Sequence, residues 1–357
     1  SGNEAGRITF DTTGPIGGTS SYYEGGGKGG KQLVESSPAA SYRFAGFYHE
    51  GGTQIDLVDH ERIFLAPSVT FHLGEDTDLT VYATYQRDEG GDGSQLFPLG
   101  LTVLPNPLGH IDNSVYLGEP DFNQFDRTQF NVGYEFDHRF DDVWSISHRF
   151  RYSHLDSATK FVNALWLNPD FRTARRIGNE NDTDTDAIQF DTRLVAEFET
   201  GATEHTAFLG FDYLRQESRY NRLVQLGGIP TIDAFNPVYS GTASFARLPY
   251  VLQILDGVND TEQVGLYAQD QIAIGNWRAS LGGRYDWSDQ FTSGVRNRVP
   301  ESATTKAESF TGRAGLLYLF DSGIAPYTSY ATSFEPVGGT DFFGAPFDPT
   351  TGQQFEA

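Results

Sequence analysis

Residues 265–287 read GLYAQDQIAIGNWRASLGGRYDW, and this stretch decides the fold. In its second half Ala279, Leu281, Tyr285 and Trp287 fall on one side, opposite Ser280, Gly282, Arg284 and Asp286. In its first half Leu266, Ala268, Ile272 and Ile274 keep step with Val264. A repeat of two is that of a β-strand with one apolar and one polar face. Gly275–Asn276 separates the halves and reads as a tight turn, so the two strands are antiparallel neighbours.

The same alternation recurs outward in both directions. Phe130, Val132, Tyr134 and Phe136 oppose Gln129, Asn131, Gly133, Glu135 and Asp137; Ile188, Phe190, Leu194, Ala196 and Phe198 oppose Gln189, Asp191, Arg193 and Glu197; residues 79–86 alternate likewise. Short turns are expected near Gly74–Asp78, Asp141–Asp142, Thr200–Gly201 and Asp321–Gly323 as well. Between these hairpins lie long polar segments, roughly 88–125, 156–187, 215–260 and 288–308. A strict alternation of short and long connections fits an antiparallel transmembrane β-barrel, with tight turns at one membrane face and long loops at the other. Several alternating runs exceed the about 9–11 residues that a tilted spanning strand needs. Asp270 breaks the apolar face of its strand and is expected near an interface, where a charge costs less.

Composition agrees with an all-β chain: its 357 residues include 40 Gly, 28 Phe and 18 Tyr. The net charge of -23 excludes a nucleic-acid partner, which needs a basic face. With no Cys there is no disulfide and no thiolate metal site. With no Met the chain is expected to be processed or a fragment. No run approaches the roughly 18–20 apolar residues of a membrane helix. Residues 17–40, GGTSSYYEGGGKGGKQLVESSPAA, read as a flexible insertion on the short-turn side, with a docking segment as the alternative.

The stretch 265–287 resembles a barrel hairpin of TonB-dependent siderophore receptors. So do HERIFLAPSVTFHLGEDTDLTVYATYQRDE (60–89), FNVGYEFDHRFDDVWSISHRFRYS (130–153) and SYATSFEPVGGTDFFGAPFDPTTGQQFE (329–356). The resemblance is nearest to ferrichrome-type, ferric hydroxamate receptors and covers the chain apart from 17–40. It implies a barrel of about 22 strands with an N-terminal plug, of which this chain holds about 12–13 strands and no plug. It also implies a bacterial outer-membrane location, a ferric siderophore as cargo, membrane lipid around the barrel, and the TonB complex acting through the missing plug. Iron then arrives only within the cargo, and no cofactor is expected.

The same resemblance implies ligand contacts in two loop segments. In 94–98, SQLFP, Phe97 keeps an aromatic position and Gln95 replaces another; in 157–166, SATKFVNALW, Phe161 keeps one, Asn163 replaces one, and Trp166 lies close enough to compensate. Packing of loop on loop is the plainer role for Phe97, Phe161 and Trp166. Arg149, Arg151, Arg193 and Arg284 are expected to face the lumen and pair with carboxylates such as Glu197 and Asp286, or to meet a plug.

Other motifs carry no chemistry. DTDTD at 182–186 lacks the Gly and distal Glu of a calcium loop. His148 and His154 are about 20 Å apart in a strand and share no metal. GGGKGG at 25–30 lacks the Ser/Thr of a phosphate loop. No enzyme constellation is present. The alternatives to a receptor are a passive porin-like channel, a non-functional barrel remnant, an outer-membrane enzyme, which no sequence feature supports, and a soluble β protein.

Overall fold

The structure is a computed structural model that describes residues 5–17, 21–24, 32–35, 39–241, 251–296, 298–338, 341–342 and 347–357. In chain order the elements are β1 (Ala5–Ile16), β2 (Ser21–Glu24), β3 (Gln32–Glu35), β4 (Ala40–Gly52), β5 (Asp59–His72) and β6 (Thr77–Gly90). A short helix α1 (Leu99–Thr102) follows, then β7 (Gln124–Arg139), β8 (Trp144–Leu167), β9 (Thr173–Thr200), β10 (Thr203–Gln225) and β11 (Ile232–Asp233). The last are β12 (Val251–Ile274), β13 (Trp277–Arg296), β14 (Val299–Tyr318), β15 (Tyr327–Glu335) and β16 (Thr350–Glu356). The main sheet has 14 strands. All but β11 lie on one antiparallel meander from β1 to β16, and β11 adds to β9. Among the described residues no pairing joins β1 to β16.

The register turns the sequence pattern into two surfaces. Val81, Tyr134, Phe150, Phe190, Tyr213, Val264 and Trp287 stand opposite one another in turn, an apolar row across seven strands. Glu135, Arg149, Asp191, Asp212, Gly265 and Asp286 form a polar row on the other face. The apolar face stays uncovered: Leu209 is 60%, Leu281 54% and Phe310 67% exposed. In water so large a patch would drive association; against lipid chains it is the matching surface. Aromatics border it. Trp277, Tyr318 and Phe320 stack edge-on at the short-turn end, and Tyr285 lies 4.7 Å from Trp287 farther up.

The expected turns at 200–201 and 275–276 form, with Gly201 and Gly275 at positive φ. Two other glycines make room on the lumen face. A Cβ on Gly210 would fall within the Tyr267 ring, and one on Gly265 would strike the Arg284 guanidinium. Both long side chains therefore lie flat across the neighbouring strand.

The long connections differ from the sequence reading. Residues 156–187 are mostly ribbon, because β8 and β9 stay paired up to Leu167 and Ala174. Residues 288–308 are nearly all strand, and β10 runs on to Gln225. Past the membrane both faces of a ribbon meet water. The alternation fades there while the hydrogen-bond ladder continues, so periodicity no longer reports the strand. Residues 91–123 do form an extended loop, which carries α1. The insertion expected at 17–40 lies partly outside the described residues, and 25–30 lies wholly outside them; within the insertion Ser21–Glu24 pairs with Gln32–Glu35.

Candidate functional site

The loop 91–123 folds back onto the β8–β9 ribbon, and the connection after β10 closes over it. Leu101 and Leu117 from the loop, Ala164 and Ala174 from the ribbon, and Ile232 and Ala234 from the connection form one buried cluster. Beside it the side chains of Arg176 (β9) and Glu119 (loop) are fully buried and 3.2 Å apart. Arg176 also donates to the carbonyls of Gly118 (2.6 Å) and Pro230 (2.8 Å). Glu119 accepts from the Gly241 amide (2.6 Å) and Ser240 Oγ (3.2 Å). Tyr239 donates its hydroxyl to the Tyr116 carbonyl at 3.0 Å. Burial pushes the Tyr116 and Tyr239 phenols above their ordinary range. It pulls Arg176 down, with Glu119 opposing. Three chain segments are thus clamped at one ion pair, which fixes the loop above the barrel mouth.

This clamp positions the expected ligand residues. Gln95 Oε1 accepts from the Leu117 amide at 3.0 Å, while its Nε2 is buried with no partner among the described residues. Asn163 is buried on β8, and its Oδ1 accepts from the Leu96 amide at 3.4 Å. The segment 94–98 therefore sits on β8 at Asn163. Phe97, half-buried, packs against the Leu101 cluster, which gives it a structural contact. Phe161 shares the lumen-side parity of Asn163, opposite Asn179 on β9. Trp166 stands apart. A bulge between Ala164 and Trp166 shifts the register and re-aims the exposed ring, over which Arg175 lies at 5.8 Å. Gln95, Phe97 and Asn163 are brought together, Phe161 extends their face downward, and Trp166 is displaced toward the tip.

Lower in the lumen, charges neutralise one another. Arg284 donates to Asp212 (2.9 Å) and Asp286 (2.6 Å); Arg149 meets Asp137 (3.0 Å) and Glu135 (3.4 Å). Arg151 bonds Gln189 at 3.0 Å. Arg193 turns to Asp191 (2.9 Å) and Tyr267 (3.1 Å) rather than to the expected Glu197, because Asp191 is its next neighbour on the same face. Asp191, Arg193, Asp212, Tyr267, Arg284 and Arg313 line a cavity of about 570 Å³. The acidic run is strand, not loop: Asp186 takes bonds from Tyr152 and His154, and Asp184 meets Arg219. His148 bonds Thr192. Among the described residues no group of carboxylates and imidazoles has the arrangement of a metal site. Sequence reading missed Glu119 and Arg176. They are distant in the chain and resemble its many other charged residues.

A family model described as TonB dependent receptor-like, beta-barrel, matches residues 67–357. The chain is 34% identical over 351 residues to the ferrioxamine B receptor of Salmonella typhimurium, covering 98% of this chain and 46% of that protein. It is 28% identical over 335 residues to the ferrichrome outer membrane transporter/phage receptor of Escherichia coli K12, covering 88% and 44%. Thus the chain spans about half the length of these relatives. Among solved structures, the siderophore receptor PiuA of Acinetobacter baumannii superposes with a TM-score of 0.79 at 20% identity, covering 98% of this chain and 52% of the other. The ferric-catecholate receptor Fiu of E. coli K12 gives 0.80 at 18%, covering 98% and 53%.

Proposed function

Since the chain belongs to the TonB-dependent receptor β-barrel family, we propose that it forms part of an outer-membrane receptor importing a ferric siderophore of hydroxamate type. The plug and the contact with the TonB complex belong to parts of the receptor outside this chain. The observation that carries this reading is the seating of segment 94–98 on Asn163 of β8. It brings Gln95, Phe97 and Asn163 together above the lumen, with Phe161 below them on the same face of β8. Trp166, nearer the tip, offers a first aromatic contact. Such a site suits a bulky, mostly uncharged iron complex: aromatic walls supply area, and amides supply a few oriented hydrogen bonds. Import makes and breaks no covalent bond in the receptor. The relatives named ferrioxamine B and ferrichrome receptors support the hydroxamate class.

The test is fluorescence quenching of the intact receptor by ferric hydroxamates. Phe97→Ala and Phe161→Ala are each expected to weaken binding about tenfold, the usual scale for truncating an aromatic contact. Binding of ferric catecholates but not hydroxamates would overturn the cargo class. Absence of any ferric siderophore binding, with steady salt conductance in a planar bilayer, would make the barrel a passive channel.

A further inference from the structure

Strand pairing sets Arg7 (β1), His49 (β4), Arg62 (β5), Asp88 (β6) and Arg127 (β7) in one lateral row, each directly opposite the next. They share the parity of Gln86 and Asn131, opposite that of Tyr85 and Phe130, so the row faces the lumen. Asp88 is fully buried within it. Arg62 Nε donates to Asp88, and Arg127 donates through Nε (3.0 Å) and Nη2 (2.8 Å). His60 Nε2 lies 3.7 Å from the same carboxylate, and the His49 and His60 rings meet edge-on at 6.4 Å. Arg7 lies over the Phe47 ring at 4.5 Å and has no carboxylate partner among the described residues.

Arg62, Arg127 and His60 therefore share one carboxylate, and Arg7 and His49 beside them add to the cationic side, inside a chain of net charge -23. The next position on β7–β8 is Ser157, opposite Arg127. It is on the face of Phe161 and Asn163, about 13 Å nearer the membrane than Phe161 and about 20 Å nearer than Asn163. Lower on the wall Arg149, Arg193 and Arg284 each meet a carboxylate of their own; here two guanidiniums divide one. Arg62, Arg127 and His60 each keep about a third of the side chain open to the lumen.

Resting on the receptor reading above, we propose that this row is an anion subsite, and that the hydroxamate cargo carries a free carboxylate which docks between Arg7 and Arg62, two strands apart. A planar guanidinium fork fits a carboxylate with two parallel hydrogen bonds, and a confined lumen strengthens the attraction. The hydroxamates hold the iron above, between the loop residues, while the carboxylate reaches down to the row.

The experiment compares two ferric hydroxamates that differ only in a free carboxylate against its carboxamide, bound to the intact receptor. The carboxylate form is expected to bind at least about tenfold tighter, with a preference that shrinks as salt rises. Arg7→Gln, which leaves the Asp88 bonds in place, is expected to lower the ratio of the two affinities several-fold. Arg62→Gln is expected to lower it further. Asp88→Asn removes the competing carboxylate and is expected to raise it, a gain that a structural role does not produce. Equal binding of both forms by the unaltered receptor overturns the proposal and leaves the receptor reading standing. Binding of neither form removes the receptor reading and the subsite with it. A ratio unmoved by the variants, with both affinities lowered together, makes the row a folding or plug-docking element and also overturns the proposal.

Discussion

Glu119 accepts hydrogen bonds from Ser240 Oγ and the Gly241 amide and faces the Arg176 guanidinium with no exposed surface on either charged side chain. Replacing only one partner strands the other charge in a site closed to water. Glu119→Gln is therefore expected to cost about 3–5 kcal/mol of local stability. Limited proteolysis should then cut segment 91–123 while the barrel strands stay protected. A loop as resistant as in the unaltered receptor would show the pair to be dispensable. Phe97 and Phe161 could be picked out beforehand because aromatics in polar loops stand out and the resemblance marked them. Nothing marked Glu119, since a buried ion pair is made by two distant residues that look like any surface charge until the chain is folded.

At the scale of the strand, Asp270 was legible as a misfit and its remedy was not. The partner strand supplies His205, whose Nδ1 lies 2.8 Å from Asp270 Oδ2 while Nε2 meets Thr200 at 2.8 Å. Phe198 stacks on the imidazole at 4.8 Å. The pair sits near the short-turn end, where a charge on the lipid face is cheapest. His205→Leu is expected to destabilise the receptor by about 1–2 kcal/mol, and His205→Leu with Asp270→Leu to recover most of that. Denaturant unfolding in lipid vesicles reads both values; a double variant as unstable as the single one would refute the pairing argument. The hairpin turns were legible for a simpler reason, since Gly201 and Gly275 punctuate two strong period-two runs. The ribbon extensions of β8, β9 and β10 were not, because Thr, Asn and Asp alternate without contrast once both faces are wet.

At the scale of the whole molecule, the class of fold followed from alternation and connection length together, and the sheet has close to the expected number of strands. The meeting of loop, ribbon and connection at Arg176 depends on tertiary packing that periodicity does not encode. β1 and β16 each have one paired edge and one free edge among the described residues. Unsatisfied strand edges are costly in lipid and adhesive in water. Residues 1–357 produced alone are accordingly expected to self-associate in detergent, whereas the intact receptor runs as a compact species that shifts on heating in gel electrophoresis. A monodisperse, strand-rich monomer of the isolated chain would contradict this.

Each long strand of the sheet pairs with its successor in the chain, apart from the small β2–β3 hairpin and β11 set to one side. Each closure thus spans a single connection, and its entropic cost grows only slowly with that connection's length. This wiring is compatible with assembly as a zipper, in which each hairpin templates the next. The same locality makes the hairpin a unit of change over evolutionary time. A barrel wired this way widens or narrows by whole hairpins, and everything beyond the two adjoining strands keeps its register.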